Sequence, residues 1–292
     1  MRDSKGCLWW LLTAIFLQAS MVVVRAPTPP NIIFFLADDL GWADTSFRGN
    51  PQIPTPNLDV LAASGIILNN YYIQYLCSPS RGALLTGLYP IHTGLQHNMV
   101  YPAEPWGLSP DFTIMPQYLK ELGYASHIIG KWGVGYYKKS YTPTYRGFDS
   151  FYGYYNGGED YYSHKFSMDN GMLNTTHKVQ GTNGAVYELD QSVGMVMESL
   201  HRRGMLENSV VVFSSDNGAR PLGSGANGGS NWPLRGGKST LWEGGVRGAA
   251  FVWSPLLSRV GRLSDQMMHI SDWLPTFYTA AGKFIIHGFY VT

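Results

Sequence analysis

Two continuous apolar runs that end in acidic residues set the first expectation for the fold. Residues 31–37 and 209–214 are almost entirely apolar, and the pairs Asp38-Asp39 and Asp216-Asn217 follow them closely. Apolar side chains on both faces are typical of buried strands in a parallel sheet. Polar residues that follow such strands lie at the carboxyl edge of the sheet, where α/β proteins bind ligands. Shorter strands are predicted at Ile66–Leu68, Ala125–Ile129 and Ala249–Val252.

Helical spacing and helix-terminal residues predict helices between these strands. Thr55 is expected to cap a helix that has Pro56 in its first position and ends at Gly65. A second helix is expected after Cys77, opened by Pro79. The alternation of strands and helices predicts an α/β sandwich. Further helices are predicted over Met115–Leu122, Glu188–Arg203 and Asp272–Ala280.

The N-terminal residues combine a basic start with a short apolar stretch. Arg2 and Lys5 flank the start of the chain, and residues 8–17 are apolar over a length typical of a signal peptide and short for a membrane span. We expect a signal peptide over 1–26, a catalytic domain over 27–292 and no stable membrane span. The sequon at Asn174 suits a glycoprotein of the secretory pathway, lysosomal or extracellular. The net charge of +1 indicates no nucleic-acid partner.

Cys77 is the single cysteine outside the predicted signal peptide. Exported chains usually pair their cysteines, so an unpaired one is either a small buried hydrophobe or a reactive or modified thiol. At a helix start it would face backbone N–H groups that favour an anion. Arg81, Lys131 and Lys238 would add positive charge, so the set fits a sulfate or phosphate ester. Each basic residue alone would more often be a solvated surface charge.

The two polar pairs that follow the apolar runs favour a metal site. The carboxylates of Asp38, Asp39 and Asp216 and the amide of Asn217 are hard oxygen ligands. Such ligands suit calcium or magnesium rather than zinc. A single Asp after a strand is as often a turn or helix cap. Two pairs at separate strand ends favour convergence on one ion.

The run Cys77-Ser78-Pro79-Ser80-Arg81, continued by residues 82–87, resembles the signature of the sulfatases. Residues 123–132 resemble the second signature of that family, and residues 38–42 and 215–218 resemble its metal motifs. Within the family, residues 93–97, 159–164, 242–248 and 269–275 resemble arylsulfatase B and its close relatives. The resemblance covers roughly residues 31–281 and implies an alkaline-phosphatase-like α/β/α sandwich with a mostly parallel mixed sheet, here truncated.

The resemblance implies a sulfuric ester hydrolase of the arylsulfatase type, acting on sulfate esters such as those of sulfated glycosaminoglycans. It implies that a formylglycine-generating enzyme oxidises Cys77 to formylglycine, whose hydrate attacks sulfur with one hydroxyl and expels sulfate with the other. It implies calcium held by the four oxygen-ligand residues together with modified Cys77. Arg81, Lys131 and Lys238 would then stabilise the charge on the sulfate oxygens.

The chain departs from the sulfatase pattern in three places. Gly133 stands where the second signature should end in histidine. A second family histidine belongs to a central segment that we expect to be deleted near residues 178–187, and we expect the smaller C-terminal domain to be absent. General acid–base catalysis typically contributes about 10²–10⁴-fold, so weak catalysis is predicted. His127 is a candidate substitute acid, although a structural role is the more common reading for such a histidine.

Three alternatives stay open on sequence grounds. A sulfatase-like binder would keep calcium and sulfated-glycan affinity without turnover, and Gly133 favours it. A truncated isoform or gene-model fragment would not fold stably, and the missing central segment favours that reading. A phosphate-ester hydrolase of the same superfamily is weaker, because the cysteine motif is the sulfatase one.

Overall fold

A computed structural model describes residues 28–102, 104–158, 181–222 and 226–283 of the chain. Several features that the sequence singled out lie outside the described residues. They are the predicted signal peptide, the stretch Glu159–His164, the sequon at Asn174, His177 and the residues from 284 onward. Within the described residues, no helix is both long and apolar enough to cross a membrane.

Strands and helices alternate along the part of the chain that the structure describes. The strands are β1 Asn31–Ala37, β2 Ile66–Leu68, β3 Tyr71–Tyr72, β4 His127–Lys131, β5 Ser150–Tyr154, β6 Ser209–Ser215, β7 Ala250–Trp253, β8 Arg262–Ser264 and β9 Met268–His269. The α-helices are α1 Pro56–Ser64, α2 Cys77–Thr86, α3 Pro90–Thr93, α4 Met115–Glu121, α5 Gly181–Arg202, α6 Glu243–Val246 and α7 Trp273–Ala280.

The central sheet has the strand order β1-β6-β7-β2-β8. β1 pairs with β6 in parallel, with Ala37 opposite Ser215, and β2 pairs with β8 in parallel. β7 runs antiparallel to both of its neighbours, β6 and β2. All strands of this sheet except β7 therefore point the same way, which confirms the predicted mostly parallel mixed sheet. β4 and β5 form a separate parallel pair, and so do β3 and β9.

The two faces of the central sheet pack against different helices, because successive side chains of a strand point to opposite faces. Phe34 is partly buried and packs against the buried cluster that includes residues of α2 and α7, and its ring lies edge-on to Trp273. Its neighbour Phe35 packs against the buried cluster on the other face, which includes Leu58 of α1 and Val193 of α5. Helices on both faces of the sheet make the predicted α/β/α sandwich.

Three elements begin two or more residues away from the predicted start. α2 begins at Cys77 rather than at Pro79, and α5 begins at Gly181 rather than at Glu188. β4 begins at His127, two residues later than predicted. Pro79 is tolerated in the third position of α2 because the first N–H groups of a helix have no partner within it.

α1 is capped by a residue distant in sequence rather than by Thr55. The Thr55 hydroxyl accepts a hydrogen bond from the Ser46 N–H at 3.0 Å and caps nothing in α1. Asp190 of α5, which is fully buried, accepts from the N–H groups of Leu58 at 2.9 Å and Asn57 at 3.3 Å. A carboxylate at a helix N-terminus satisfies unpaired N–H groups and complements the helix dipole. Asp190 therefore ties α5 to α1.

His269 gives the stability of the fold a predicted dependence on pH. Its ring stacks on Tyr89 with centroids 4.5 Å apart, and its two nitrogens contact the Ser271 hydroxyl at 2.8 Å and the Gln74 amide at 2.9 Å. Burial lowers the pKa of His269 to about 4 from 6.5, although Asp272 acts in the opposite direction. The unfolded chain therefore binds this proton at a higher pH than the folded chain does. Stability present above about pH 6.5 is lost as the pH falls toward 4.

We expect this residue to lower the free energy of unfolding by about 2 kcal/mol between pH 7 and pH 5. Urea unfolding of the unaltered chain and of His269→Gln at both pH values measures the effect. The change in the free energy of unfolding between pH 7 and pH 5 should differ by about this amount between His269→Gln and the unaltered chain, and should be the same in His127→Gln, which alters an exposed histidine. The same pH dependence in all three proteins would show that His269 is not the group responsible.

Candidate active site and metal-binding cluster

The carboxylates of Asp38, Asp39 and Asp216 meet at the carboxyl ends of β1 and β6. These strands are parallel neighbours, with Ala37 opposite Ser215, so the residues after each strand emerge side by side. Oxygens of the three carboxylates lie within 4.8 Å of one another. Asp39 has φ 60°, an uncommon conformation for a residue other than glycine and one that recurs at functional sites. We call these three carboxylates the acidic cluster.

Asn217 lies fully buried beside the acidic cluster with one unsatisfied oxygen. Its Nδ2 donates to Asp39 Oδ1 at 2.7 Å and to the Gly218 carbonyl at 3.0 Å. These bonds orient the amide and leave Oδ1 buried with no hydrogen-bond partner. Buried polar atoms without a partner are rare and need an explanation. An amide oxygen beside three carboxylates is a donor set that calcium uses, so the residues present fit this ion.

Arg81 joins the acidic cluster to β4. Its side chain is 8% exposed, and it lies one turn after the start of α2. Its Nε donates to Asp216 Oδ2 at 3.0 Å, Nη1 donates to the Lys131 carbonyl at 3.0 Å, and Nη2 lies 3.5 Å from Asp38 Oδ1. Burial alone would lower the pKa of Arg81, but the charges of Asp216 and Asp38 raise it. Arg81 therefore stays charged and holds two of the carboxylates.

Lys131 and Lys238 each pair with one carboxylate of the cluster. Lys131 Nζ donates to the two oxygens of Asp38 at 2.7 and 3.0 Å, and Lys238 Nζ pairs with Asp39 Oδ1. Burial alone would lower the pKa of both lysines. The charge of Asp38 raises the pKa of Lys131 and that of Asp39 raises the pKa of Lys238, and Cys77 acts on both lysines in the same direction. Both lysines therefore remain charged beside position 77.

The basic side chains compensate the negative charges of Asp38 and Asp216 to different extents. Burial, and then the charge of Asp38, raise the pKa of Asp216 to about 7 against the opposing charges of Arg81 and Lys131. Burial also acts to raise the pKa of Asp38, but Lys131 and Arg81 outweigh it and hold that pKa well below its usual range. The basic side chains thus compensate Asp38 better than Asp216. A divalent cation would supply the positive charge that Asp216 lacks.

Cys77 is the first residue of α2 and is fully buried. Leu76 precedes it and offers no capping side chain, so this helix end favours a negative charge. The Ser78 hydroxyl donates to the Gly133 carbonyl at 2.6 Å and accepts from the Val100 N–H at 2.9 Å. These bonds fix the start of α2 against the segment that follows β4.

The positions of His127 and Gly133 show whether a histidine or another acid–base group lies near the acidic cluster. His127 is the first residue of β4, is exposed, and contacts the Ser150 hydroxyl through Nδ1 at 2.7 Å. Lys131 is four residues further on, about 13 Å along an extended strand. His127 therefore lies away from the acidic cluster, which favours a structural role for this histidine over a role as the substitute acid. Gly133, which has no side chain, is instead the position beside Lys131 and Arg81.

Two polar side chains that the sequence did not single out hold the loops around the acidic cluster. Asp44 accepts hydrogen bonds from the N–H groups of Gly41 and Ser230, each at 2.7 Å, and burial raises the pKa of Asp44. Asn227 Nδ2 donates to the Asp39 carbonyl at 2.8 Å. The Asp44 side chain bonds the backbone three residues earlier, a short-range pattern that aspartate commonly forms and that could have revealed its role. Asn227 carries no comparable local signal.

Comparison with known proteins gives the relationships of the chain. The Sulfatase family profile matches residues 30–183 and 171–283. The chain is 38% identical to arylsulfatase J of Mus musculus, over 86% of this chain and 52% of that protein. It is 32% identical to N-acetylgalactosamine-6-sulfatase of Canis lupus familiaris, over 94% of this chain and 66% of that protein. The chain thus spans about half to two thirds of the length of these curated relatives.

Solved structures agree with these relationships. The structure described as Ps i-CgsB in complex with k-i-k-neocarrahexaose has a TM-score of 0.81 and 26% identity, over 91% of this chain and 74% of that one. The PsFucS1 sulfatase from Pseudoalteromonas sp. shares the fold with a TM-score of 0.72 and 22% identity, over 98% and 73% of the two chains. With a family profile that matches nearly all of the described residues, the chain belongs to the sulfatase family.

Proposed function

We propose that this chain is a sulfuric ester hydrolase that uses a formylglycine made from Cys77 and a bound calcium ion. The observation that carries the proposal is the buried, unpartnered Oδ1 of Asn217 beside the acidic cluster. Together with the three carboxylates it makes four hard oxygen donors next to position 77. A structural role alone would leave that oxygen unsatisfied.

The mechanism follows from what the side chains around position 77 can hold. The three carboxylates of the acidic cluster and Asn217, with the modified residue 77, would hold the calcium. When bound, calcium orients the sulfate ester and offsets its negative charge. Arg81, Lys131 and Lys238 keep their positive charge and would stabilise the charge that builds on the sulfate oxygens.

The burial of Cys77 bears on how it is modified. Its side chain is fully buried in the folded chain. A formylglycine-generating enzyme would therefore have to reach residue 77 before folding encloses it. The position at the start of α2, beside three charged basic side chains, suits a residue that carries an anionic reacting group.

Sulfated glycans are the proposed substrates. One relative is named N-acetylgalactosamine-6-sulfatase, and one solved neighbour is described in complex with a neocarrahexaose. Both names refer to sugars, and we assign the same substrate class to this chain. The proposed location is the secretory pathway, either lysosomal or extracellular, which also is where a formylglycine-generating enzyme would act.

Two sulfate esters with different leaving groups test the proposed function. The chain is produced together with a formylglycine-generating enzyme and assayed with calcium. An aryl sulfate has a leaving group that needs little protonation, so measurable hydrolysis is expected. A sugar sulfate should react about 10²–10⁴-fold more slowly, because Gly133 supplies no acid.

A calcium-dependent binder of sulfated glycans is the second candidate, and Gly133 is the observation that favours it. No hydrolysis of the aryl sulfate, by a chain whose aldehyde at residue 77 has been verified by peptide mass, would contradict the hydrolase. Retained affinity for the sulfated glycan in that same protein would establish the binder instead.

Gly133→His is expected to weaken aryl sulfate hydrolysis rather than restore an acid. Gly133 has φ 76°, and a Cβ there would lie 3.1 Å from Lys131 Cε and 3.2 Å from Arg81 Cδ. A side chain would therefore strain the backbone, at a cost of about 1–3 kcal/mol, and press on two residues that hold the acidic cluster. Gly133→Ala should lose activity for the same reason. Both variants are compared by kcat/KM on the aryl sulfate, and a gain confined to Gly133→His would contradict this account.

A further inference from the structure

The loop that carries Lys238 also carries large exposed side chains that the proposed mechanism does not use. Trp232 is 76% exposed and Trp242 is 50% exposed. Arg235 is exposed as well, and its guanidinium carbon lies 3.7 Å from the centre of the Trp242 ring. Among the described residues, no carboxylate pairs with Arg235. We call Trp232, Arg235 and Trp242 the aromatic platform.

One end of the aromatic platform is held next to Lys238. Asn231, which is 3% exposed, donates to the carbonyls of Ala219 and Gly236 at 2.9 and 3.1 Å. The Lys238 N–H donates to the same Ala219 carbonyl at 2.9 Å. Because the Ala219 carbonyl accepts both hydrogen bonds, Asn231 lies beside the backbone of Lys238. Trp232 follows Asn231 directly, and Lys238 pairs with the acidic cluster. These bonds order the backbone beside Trp232, and a backbone that is already ordered loses little conformational entropy on binding.

The other end of the platform is held against the same loop. A Cβ at Gly236, where φ is 82°, would lie 2.6 Å from Trp242 Cβ, so the missing side chain lets the tryptophan approach. The Gly244 N–H donates to the Arg235 carbonyl at 2.8 Å. The three platform residues therefore lie on one loop that is held by hydrogen bonds to its backbone, and Lys238 lies on the same loop.

We propose that the aromatic platform binds a neighbouring sugar ring of an anionic glycan, an inference that rests on the proposed function. The face of an indole ring is negative and attracts the C–H groups of a sugar ring. Arg235 stacks on one such face and keeps N–H donors for a sulfate or carboxylate of the glycan. One loop thus presents Lys238 to the sulfate that is cleaved and the platform to the adjoining sugar. The platform selects anionic glycan chains over small sulfate esters.

A protein partner is the rival occupant of the aromatic platform. Large exposed apolar side chains mark protein contacts as well as ligand sites. The centre of a protein interface is depleted in charged residues, and burial of a charge without a partner is costly. Arg235 lacks a carboxylate among the described residues, so an anionic ligand fits it better than an apolar protein surface.

Binding of a chondroitin sulfate hexasaccharide tests the platform without turnover. The full chain is used with calcium and with Cys77→Ala, which removes the reacting group. In this background, Trp232→Ala and Arg235→Gln should each raise the Kd by about 5–20-fold, the range expected for loss of one stacking or cation–π contact. Tyr152→Ala is the matched control, since it removes an aromatic side chain that is 80% exposed on β5. It should change the Kd by less than about 2-fold.

A chemically desulfated hexasaccharide separates the two contributions. Trp232→Ala should weaken binding of both hexasaccharides about equally, whereas Arg235→Gln should weaken the sulfated one more, because the desulfated one keeps only its carboxylates as anionic groups. Unchanged Kd values in both platform variants, or equal weakening by Tyr152→Ala, would overturn the proposal. So would an oligomer of the unaltered chain, seen by light scattering, that Trp232→Ala dissociates, because the platform would then be a protein interface.

The proposed function can fail separately from the platform. If the unaltered, aldehyde-bearing chain does not hydrolyse an aryl sulfate but the platform variants weaken hexasaccharide binding, the hydrolase is contradicted and the platform stands. If the unaltered chain hydrolyses the aryl sulfate but does not bind the hexasaccharide, the platform is contradicted and the hydrolase stands.

Discussion

Calcium is expected to raise the melting temperature of this chain, and Asn217→Leu is expected to remove the rise. A ligand that binds only the folded state stabilises it by about 2.7 kcal/mol at a concentration of 100 Kd. For a domain of this size, that corresponds to roughly 5–10 °C. Asn217 Oδ1 is a buried oxygen without a hydrogen-bond partner among the described residues, so Asn217→Leu would remove one of the proposed calcium ligands.

Melting curves of EDTA-treated protein, recorded over a calcium titration, measure this response. Asn217→Leu also loses the two bonds that Nδ2 donates, so its calcium-free melting temperature should fall too. The change with calcium is therefore the quantity to compare. Asp149→Asn, which alters a surface ion pair with Lys120, should respond as the unaltered chain does. A full calcium response in Asn217→Leu would mean that the ion binds elsewhere.

Arg81→Met is expected to destabilise the calcium-free chain by about 3–5 kcal/mol, the usual effect of removing one partner from a buried ion pair. Its side chain is 8% exposed and donates to Asp216 and to the Lys131 carbonyl, close to Asp38. Arg81 and Lys131 are the two positive charges that most lower the pKa of Asp216. Without Arg81, only Lys131 would compensate the negative charge of this buried carboxylate. Arg81→Lys keeps the charge but not the three-way contact, so a smaller loss is expected.

Urea unfolding in EDTA measures these free energies, and its repetition in calcium adds a second comparison. Calcium should reduce the loss in Arg81→Met, because an ion bound as proposed would compensate the same carboxylates as the guanidinium. A loss below about 1 kcal/mol, typical of an exposed ion pair, would contradict the account of Arg81 as the residue that holds the acidic cluster.

The acidic ends of β1 and β6 were the most predictable part of the site. Both strands are continuous apolar runs, and a polar pair after such a run points to the carboxyl edge of a parallel sheet. The sequence did not reveal that β1 and β6 are direct neighbours. Their pairing joins residues that are far apart in the chain, and only the register of the sheet places Asp39 next to Asp216.

Other features could not be predicted because their causes are not local. The cap of α1 comes from Asp190 in α5, 133 residues after Asn57, so Thr55 was the only candidate that local rules could offer. Lys131 reaches Asp38 from a separate two-stranded sheet. The positive φ of Gly133 depends on the path of the chain after β4. Because of this backbone conformation, a histidine at position 133 would be strained, which the sequence alone did not reveal.

Aryl sulfate hydrolysis by the unaltered chain and by Cys77→Ala, each produced with a formylglycine-generating enzyme and assayed in calcium, tests the central claim most directly. Cys77 is fully buried, and replacement by alanine is a small change in volume, so the fold should persist, which a melting curve verifies. The account predicts release of sulfate and phenol by the unaltered chain and a loss of at least about 10³-fold in Cys77→Ala. Equal rates of hydrolysis by the two proteins would contradict it.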